Sequence, residues 1–267
     1  MKIIEPNAIE LKQTDLFKHI ELCGRTCYKS EDKITDSSSE KFVNMLKSHA
    51  HGAMLEHGTV YLTIPHYNQR DSKGKILENE YQILINNKYT QRNINYNIQD
   101  SPTYITTNYR VIVENTLEDL LLKYQSECTE YHVKRRTFKI TCNRGVSHEF
   151  VRHRVFSFAQ ESQRYCNYGK NKFDNEIKII KPIYFDNNSL QYAAWYNSCS
   201  NAEESYLRLL NLGATPQEAR EVLPNATATE LIMTGFESDW EHFFTLRCAK
   251  DAHPQAQEIA NKIKEIF

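Results

Sequence analysis

The amino-acid sequence predicts an α+β fold, in which a mixed or antiparallel sheet with flanking helices forms a single domain. Two segments before residue 143, Thr59–Ile64 and Thr137–Cys142, alternate apolar and polar residues as half-buried strands do. From residue 189 onward the apolar residues follow the helical period instead, which predicts a helical C-terminal half. Strands and helices that are segregated along the chain in this way are typical of α+β architecture.

Helices are predicted on both sides of these strands. Thr14 is the predicted N-cap of the first helix, and Gly213 is predicted to end the longest one. Thr215-Pro-Gln-Glu218 combines a capping box with proline at the first helical position, which predicts the start of a further helix. Apart from the short helix that begins at Thr215, the predicted helices cover residues 14–28, 38–49, 116–131, Leu190–Leu212, Ser238–Arg247 and Gln255–Phe267.

Residues 66–136 do not follow this pattern. The stretch 66–103 is polar and rich in Asn, Gln and Tyr, with a short strand predicted at Tyr81–Ile85. A second strand is predicted at Tyr109–Val113. We interpret residues 66–136 as an insertion that carries its own small hairpin or excursion from the sheet, because the segment contains strand signals that a linker lacks.

The bulk composition excludes several classes of function. The 33 basic and 34 acidic residues nearly cancel and the pI is about 6.8, which argues against a broad basic surface for nucleic acid. No apolar run approaches the ~20 residues of a membrane helix, and no secretory signal is present. Seven cysteines without a CxxC pair favour reduced thiols in the cytoplasm. Without a GxGxxG or P-loop motif, dinucleotide binding would need another kind of site.

One segment after the second predicted strand concentrates the polar chemistry, with three arginines and two histidines in nineteen positions. If Ser147 caps a short helix, Arg152 and Arg154 point in roughly opposite directions and cannot serve one ligand together. If the chain is extended around Ser162 and Arg164, these two lie on the same face. A hydroxyl beside a guanidinium suits a phosphate monoester, so the pattern indicates two anionic ligands that meet at this segment.

Ordinary electrostatics offers a competing explanation. The arginines could form a solvated basic turn, or pair with local acids such as Glu149 and Glu161, because most charges on a protein surface are simply solvated.

The spacing within the segment resembles the signature of flavin-dependent thymidylate synthases, RHRxxSxxxxSxR, which is often followed by tyrosine. One departure is Ala159-Gln160, where the family often has Asn-Glu, so that a carboxylate acceptor is missing. The matching residues are Arg152, His153, Arg154, Ser157, Ser162, Arg164 and Tyr165.

Three further segments carry the same resemblance. Leu55–Thr59 resembles the family's Glu-His motif, Ala219–Pro224 matches its ARxxLP element, and Trp240–Arg247 is similar to its helix that ends in Leu-Arg. The resemblance covers about 50–65 and 140–267 of the chain and leaves the predicted insertion largely outside, as a feature not typical of the family.

The resemblance implies an enzyme, a methyltransferase that reductively methylates dUMP to dTMP. Methylenetetrahydrofolate would supply the one-carbon unit and NADPH the hydride, with FAD as the cofactor and no metal ion. It also implies a cytoplasmic homotetramer whose sites are shared between subunits, without nucleic-acid or membrane partners.

The same resemblance assigns site residues position by position. Arg247 is the implied catalytic residue. The residues implied to bind dUMP are Glu149, Arg152, Gln160, Ser162, Gln163, Arg164, Arg220 and Arg247. Those implied to bind FAD are His57, Thr59, Arg152, His153, Arg154, Gln160 and His242.

Arg247 also stands out from the residues around it. It shares a helical face with Trp240, Phe243 and Phe244, and a charge on an apolar face needs a partner. One candidate partner is Asp251, four residues further on, in a simple salt bridge. The partner implied by the resemblance is the uracil ring, whose N3–C4 edge an arginine polarises.

Two other functions stay open at this point. A metal-dependent hydrolase would use histidines such as His49, His51 and His57, but none of them shows HExxH spacing. A nucleotide- or RNA-binding module without catalysis would use the arginines together with aromatic residues such as Phe156 and Tyr165. The near-neutral net charge disfavours the binding module.

Overall fold

The structure is a computed structural model that describes residues 1–65 and 74–267. The strands are β1 (Lys2–Ile4), β2 (Asn7–Glu10), β3 (Thr59–Ile64), β4 (Gln91–Ile94), β5 (Thr103–Asn108), β6 (Arg135–Asn143), β7 (Ser157–Gln160), β8 (Lys178–Ile180) and β9 (Ala228–Phe236). The helices are α1 (Leu16–Thr26), α2 (Ser38–Ser48), α3 (Gly52–Leu55), α4 (Gly74–Ile85), α5 (Tyr109–Glu114), α6 (Glu118–Tyr124), α7 (Arg144–Phe150), α8 (Leu190–Asn211), α9 (Pro216–Ala219), α10 (Glu237–Arg247) and α11 (Pro254–Ile266).

Three sheets organise these elements. β2, β6, β9 and β7 form, in that order, a four-stranded antiparallel sheet. β3, β5 and β4 form a three-stranded antiparallel sheet, and β1 pairs with β8 in parallel. Helices pack around the sheets, so the predicted α+β class with mixed and antiparallel pairing is confirmed.

The four-stranded sheet packs against α7, α10 and α11. Phe138 and Ile140 alternate along β6 and are buried in one cluster with Trp240 of α10 and Ile259 of α11. Fully burying an apolar side chain of this size contributes roughly 1.5–3 kcal/mol, so the cluster holds α10 firmly on the sheet. The last residue of α10 is Arg247, whose position is therefore set by this core.

The three-stranded sheet has a core of its own. Val60 of β3 and Ile105 of β5 are buried together with Ile20 of α1, Leu84 of α4 and Leu120 of α6. The described part of the predicted insertion is therefore a packed unit built on β3. Residues 66–73 of that prediction lie outside the described residues.

Two segments predicted as strands are helical. Tyr81–Ile85 is the last part of α4, and Tyr109–Val113 lies within α5. The side chain of Asn108 accepts a hydrogen bond from the backbone N of Val111 at 3.0 Å, which caps α5 immediately after β5 ends. The β-branched residues of α5 suggested a strand, but this cap and the burial of one helical face decide for a helix.

Helix boundaries show smaller differences. Asp15 rather than Thr14 is the N-cap of α1, because its carboxylate accepts from the backbone N of Lys18 at 2.8 Å. The helix predicted over 116–131 is the shorter α6, since Thr116 has a positive φ of 56° and is excluded from it. The helices predicted at 38–49, Leu190–Leu212 and the C-terminus are confirmed, as is the capping box at the start of α9.

The helical C-terminal half is confirmed by α8, α9, α10 and α11, but it also contains β9, a strand that was not predicted and that lies inside the four-stranded sheet. β9 pairs with β6 on one side and with β7 on the other. Residues 231–236 are buried without alternation, since packed elements cover both faces of the strand. A strand buried on both faces lacks the period-two pattern by which strands are recognised. Over the described part of the chain, no helix combines the length and the apolar character that crossing a bilayer requires.

Candidate functional site

An open cavity of about 590 Å³ lies where α7, the turn that follows it and α10 meet. The loop before α11 completes its wall with residues 251–253. Six of the site residues assigned by resemblance line this cavity: Glu149, Arg152, His153, Arg154, His242 and Arg247.

The local sequence explains how these side chains reach the cavity. Asn143 caps α7 by accepting from the backbone N of Val146 at 2.7 Å, so the predicted cap, Ser147, lies inside the helix instead. Because α7 ends before Arg152, the helical spacing that would separate Arg152 from Arg154 does not apply. Both arginines line the same cavity, and the prediction that they point in opposite directions is wrong.

Arg247 is held by three hydrogen bonds. Its Nη1 donates to Oε2 of Glu149 at 2.9 Å, and its Nη2 donates to the backbone oxygen of the same residue at 2.7 Å. Its Nε donates to Nε2 of His153 at 2.8 Å. The ion pair is therefore with Glu149 rather than with Asp251, which lines the cavity wall.

The protonation states at this centre follow from the contacts. Because arginine only donates, Nε2 of His153 must accept, so the imidazole is neutral with its proton on Nδ1. Burial lowers the pKa of His153 to about 4, and the charges of Arg247, His242 and Arg152 act in the same direction. The hydrogen bond from Arg247 lowers the pKa of Glu149, which keeps this carboxylate ionised. A fixed cation thus lies between an anion and a neutral ring.

The two arginines of the turn are exposed toward solvent. Arg152 lies 3.5 Å from the carboxylate of Glu149 and its side chain is 71% exposed. Arg154 is exposed too, and no hydrogen bond or ion pair joins it to another residue in the described ranges. Both guanidinium groups are therefore available to an anionic ligand.

A second group of predicted residues lies elsewhere in the chain. Ser162, Gln163 and Arg164 occupy a turn after β7, so the extended conformation predicted there is wrong. Nε of Arg164 donates to Oε1 of Gln217 in α9 at 2.9 Å, and α9 leads directly into Arg220. None of these four predicted dUMP-binding residues lines the cavity described above.

Gln160 is engaged by the protein itself. Its Nε2 donates to Oγ of Ser147 at 2.9 Å and to Oγ1 of Thr229 at 3.3 Å. Because the hydroxyl of Ser147 donates to the backbone oxygen of Arg144, it accepts from residue 160, which an amide can satisfy and an ionised carboxylate cannot. Gln160 does not line the cavity either.

His57, a predicted FAD residue, lies in the interior of the protein rather than in the cavity wall. His57 is completely buried, and its Nδ1 lies 2.8 Å from Oγ1 of Thr234 on β9. Thr59, also a predicted FAD residue, has its hydroxyl 3.2 Å from Nη1 of Arg135, away from the cavity. His57 therefore joins the segment before β3 to β9, and its assignment to FAD stays a prediction.

A second cavity, of about 260 Å³, shares Arg154 and Val155 with the first. Its other walls include Lys88, Tyr89 and Arg135, which no motif singles out. These residues come from the α4–β4 connection and the start of β6, so only the fold brings them together.

Comparison with known proteins identifies a family for the chain. Residues 87–267 match the family model described as "Thymidylate synthase complementing protein". The chain belongs to this family. The resemblance to flavin-dependent thymidylate synthases is thereby confirmed. The match to the thymidylate synthase complementing proteins begins within residues 66–136, and the interpretation of that segment as an insertion stays a prediction.

Curated relatives match part of the chain at modest identity. The flavin-dependent thymidylate synthase of Pyrococcus furiosus is 29% identical over 163 residues, which are 60% of this chain and 66% of that protein. The one of Corynebacterium efficiens is 34% identical over 131 residues, 44% of this chain and 51% of that protein. The chain thus spans about half to two thirds of the length of these curated relatives.

Two solved structures resemble the chain in outline. They are crystal structures of the UMP/dUMP methylase PolB from Streptomyces cacaoi, bound with 5-Br dUMP and with 5-Br UMP. Both alignments cover 100% of this chain. The structure with 5-Br dUMP is 16% identical with a TM-score of 0.46 over 91% of that chain, and the one with 5-Br UMP is 14% identical with a TM-score of 0.48 over 90% of that chain. In this member of the thymidylate synthase complementing protein family, no group of three His, Cys, Asp or Glu side chains within the described ranges is arranged to hold a metal ion.

Proposed function

We propose that the protein is a flavin-dependent thymidylate synthase, which converts dUMP to dTMP with methylenetetrahydrofolate as one-carbon donor and NADPH as hydride source. The observation that carries the proposal is the guanidinium of Arg247, fixed by Glu149 and His153 in the wall of an open cavity rich in cations. Relatives of the chain bear this name.

The residues of the cavity fit FAD. Its volume of about 590 Å³ falls within the range of ligand pockets, roughly 300–1,000 Å³. Arg152 and Arg154 present exposed guanidinium groups suited to phosphate oxygens, and the rings of His153 and His242 border the space between them. When bound, FAD supplies the hydride-transfer chemistry, while the protein supplies orientation and electrostatics.

Arg247 is the group that activates the pyrimidine. A guanidinium has five N–H donors, and three of them are used by Glu149 and His153, so two remain for the uracil carbonyl edge. These donors stabilise the negative charge that develops on the ring as the one-carbon unit is attached to it and reduced to a methyl group. Because the two protein partners hold the guanidinium in place, it needs no reorganisation during the reaction.

A thiol nucleophile does not fit this cavity. None of the seven cysteines, all of which lie in the described ranges, lines it. Burial raises the pKa of Cys142 and Cys166 to about 12, and it raises the pKa of Cys248, which follows Arg247, as well. A thiolate, the reactive form of cysteine, is disfavoured at these positions. This supports activation of the pyrimidine by a cation and a flavin.

The separation of the two groups of predicted dUMP residues supports an assembly with shared sites. We infer a cytoplasmic homotetramer, without nucleic-acid or membrane partners, in which a second subunit brings Ser162, Arg164 and Arg220 to the cavity at Arg247. A phosphate monoester would then be bound by groups from one subunit and its base by another.

Subunit complementation tests the shared site. Arg164→Ala and Arg247→Ala are each expected to abolish dTMP formation, and tetramers reassembled from equal amounts of the two are expected to regain about a quarter of wild-type activity. Each site needs an intact Arg247 from one subunit and an intact Arg164 from another, and random assembly provides both in about one quarter of the sites. Activity that stays at zero in mixed tetramers, shown to form by light scattering, would mean that each site lies within one chain.

The absorption spectrum of the purified protein tests the proposed function directly. Added FAD is expected to give the absorption bands of a protein-bound flavin. NADPH is expected to bleach these bands in the absence of oxygen, and to do so faster when dUMP is present. dTMP formation with methylenetetrahydrofolate then follows. A protein that ignores FAD, and binds RNA with a steep salt dependence, would instead be a nucleic-acid-binding module.

A further inference from the structure

The second cavity lies between the three-stranded sheet and the four-stranded one. Lys88, Tyr89 and Gln91 form one wall at the start of β4, and Arg135, at the start of β6, lies on the other. Through Arg154 this space of about 260 Å³ adjoins the cavity at Arg247. A ligand long enough to pass Arg154 can therefore occupy both.

Neutral groups, rather than a carboxylate, accept the hydrogen bonds of Arg135 in this cavity. Its Nη1 donates to the hydroxyl of Thr59 at 3.2 Å and its Nη2 to the backbone oxygen of Glu56 at 3.1 Å, both neutral acceptors. Its Nε is buried and has no hydrogen-bond partner within the described ranges. Burial lowers the pKa of Arg135 to about 10, although interactions with Tyr61, Glu56 and Asp239 act to raise it. A partly buried cation without a paired anion is costly, so this guanidinium is suited to an anionic ligand.

The remaining charges of the cavity have the same sign. Lys88 is exposed and its ammonium lies over the ring of Tyr89, 4.8 Å from the centroid. Arg154 is exposed without a protein partner in the described ranges. The one carboxylate in the wall, Asp239, accepts from the backbone N of Phe236 at 3.0 Å and so is engaged in capping α10. Three cations against one occupied carboxylate make an anion site.

We propose that this cavity binds the phosphate groups of a nucleotide, with Arg135 and Arg154 as donors and Lys88 at its mouth. Guanidinium groups offer forked donors that match phosphate oxygens, and the ring of Tyr89 offers an apolar surface to the attached nucleoside. The assignment rests on the proposed function. The nucleotide is the distal end of a flavin dinucleotide whose ring lies at Arg247, or a pyridine nucleotide that binds beside it.

The affinities of the 267-residue protein for FAD, FMN and ADP, measured by calorimetry and flavin fluorescence, test the proposal. FMN lacks the adenylate portion of FAD. Lys88→Glu is therefore expected to weaken the binding of FAD and ADP by about tenfold and to leave the binding of FMN nearly unchanged. Arg135→Gln is expected to weaken FAD and ADP at least as much. Lys170→Glu, the same charge reversal at an exposed lysine that does not line the cavity, serves as the matched control.

The outcomes separate the two sources and the two proposals. ADP that competes with FAD assigns the site to the flavin dinucleotide, and ADP that competes with NADPH alone assigns it to the pyridine nucleotide. This inference is overturned, and the proposed function is left intact, if the wild-type protein binds FAD and both variants keep its full affinity for FAD, ADP and NADPH. The two variants are Lys88→Glu and Arg135→Gln. Protein that binds ADP through Lys88 and no flavin overturns the proposed function instead. Because Lys88 is exposed, its variant is expected to fold even if Arg135→Gln does not.

Discussion

Two buried histidines predict a steep loss of stability in acid. Nε2 of His19 lies 3.3 Å from the hydroxyl of Thr137, which lies 2.8 Å from that of Thr234, which in turn lies 2.8 Å from Nδ1 of His57. Burial lowers the pKa of His19 to about 4 and that of His57 to about 3, with the charge of Arg135 acting in the same direction. Both rings are therefore neutral in the folded protein and become charged at mild acid only when the chain unfolds.

The sign and size of the effect follow from proton linkage. Below the ordinary histidine pKa of 6.5 the unfolded chain binds more protons than the folded one, so stability falls as pH falls from about 6.5 toward 4. At pH 5, about 1.5 units below that value, the loss is about 2 kcal/mol per histidine, since one unit is worth about 1.36 kcal/mol. The result depends little on the folded pKa, provided that it stays below 5. Two histidines give about 4 kcal/mol, a large share of the 5–15 kcal/mol typical of a domain.

Urea unfolding at fixed protein concentration, at pH 7 and pH 5, measures this loss. His57→Gln keeps a side chain able to hydrogen-bond Thr234 but does not titrate. The difference in unfolding free energy between the two pH values is expected to shrink by about 2 kcal/mol relative to wild type. His148→Gln, which replaces an exposed histidine, is the control and is expected to leave the difference unchanged. If His57→Gln and wild type lose the same amount, His57 is not held neutral by the fold and the reasoning fails.

Three further predictions follow from contacts of the site and the sheet. Glu149→Gln removes the counter-charge of the arginine at the cavity wall but keeps its shape, so dTMP turnover is expected to fall about tenfold with FAD still bound; turnover equal to wild type would contradict this. Glu161→Gln removes a buried carboxylate that accepts from Tyr168 at 2.7 Å, and is expected to cost about 1–3 kcal/mol in urea unfolding, against little for Glu204→Gln on the surface. Gly235→Ala places a Cβ 2.6 Å from the ring of a buried phenylalanine, and a thermal melt is expected to show a loss of about 1–3 kcal/mol.

Much of the fold could be predicted because its signals are local. β3 and the middle of β6 alternate, and α9 begins with a capping box confirmed by the hydrogen bonds between Thr215 and Glu218. Gly213 ends α8 with a φ of 94°, which residues other than glycine rarely adopt. Each signal involves residues within four positions of one another, so the sequence alone contains it.

The elements that were missed depend on distant packing. β9 lacks alternation because both of its faces are covered, and α5 is rich in residues that favour strands but is capped by Asn108. No short stretch of sequence shows what will cover a strand. The same holds for His57, which reads as a ligand-binding motif and is in fact enclosed between β3 and β9.

The partner of Arg247 illustrates why site geometry exceeds what spacing can predict. Local spacing offered Asp251, four residues away, whereas the fold supplies Glu149, 98 residues away. The neighbouring residues explain this choice: Phe150, next to Glu149, packs edge-on against Phe243, one helical turn before Arg247, with ring centroids 5.0 Å apart. The hydrophobic contact joins α7 to α10 and thereby brings the carboxylate to the guanidinium. The electrostatics of the site are thus set by the core beneath it, which is why motif residues can be named from sequence while their contacts cannot.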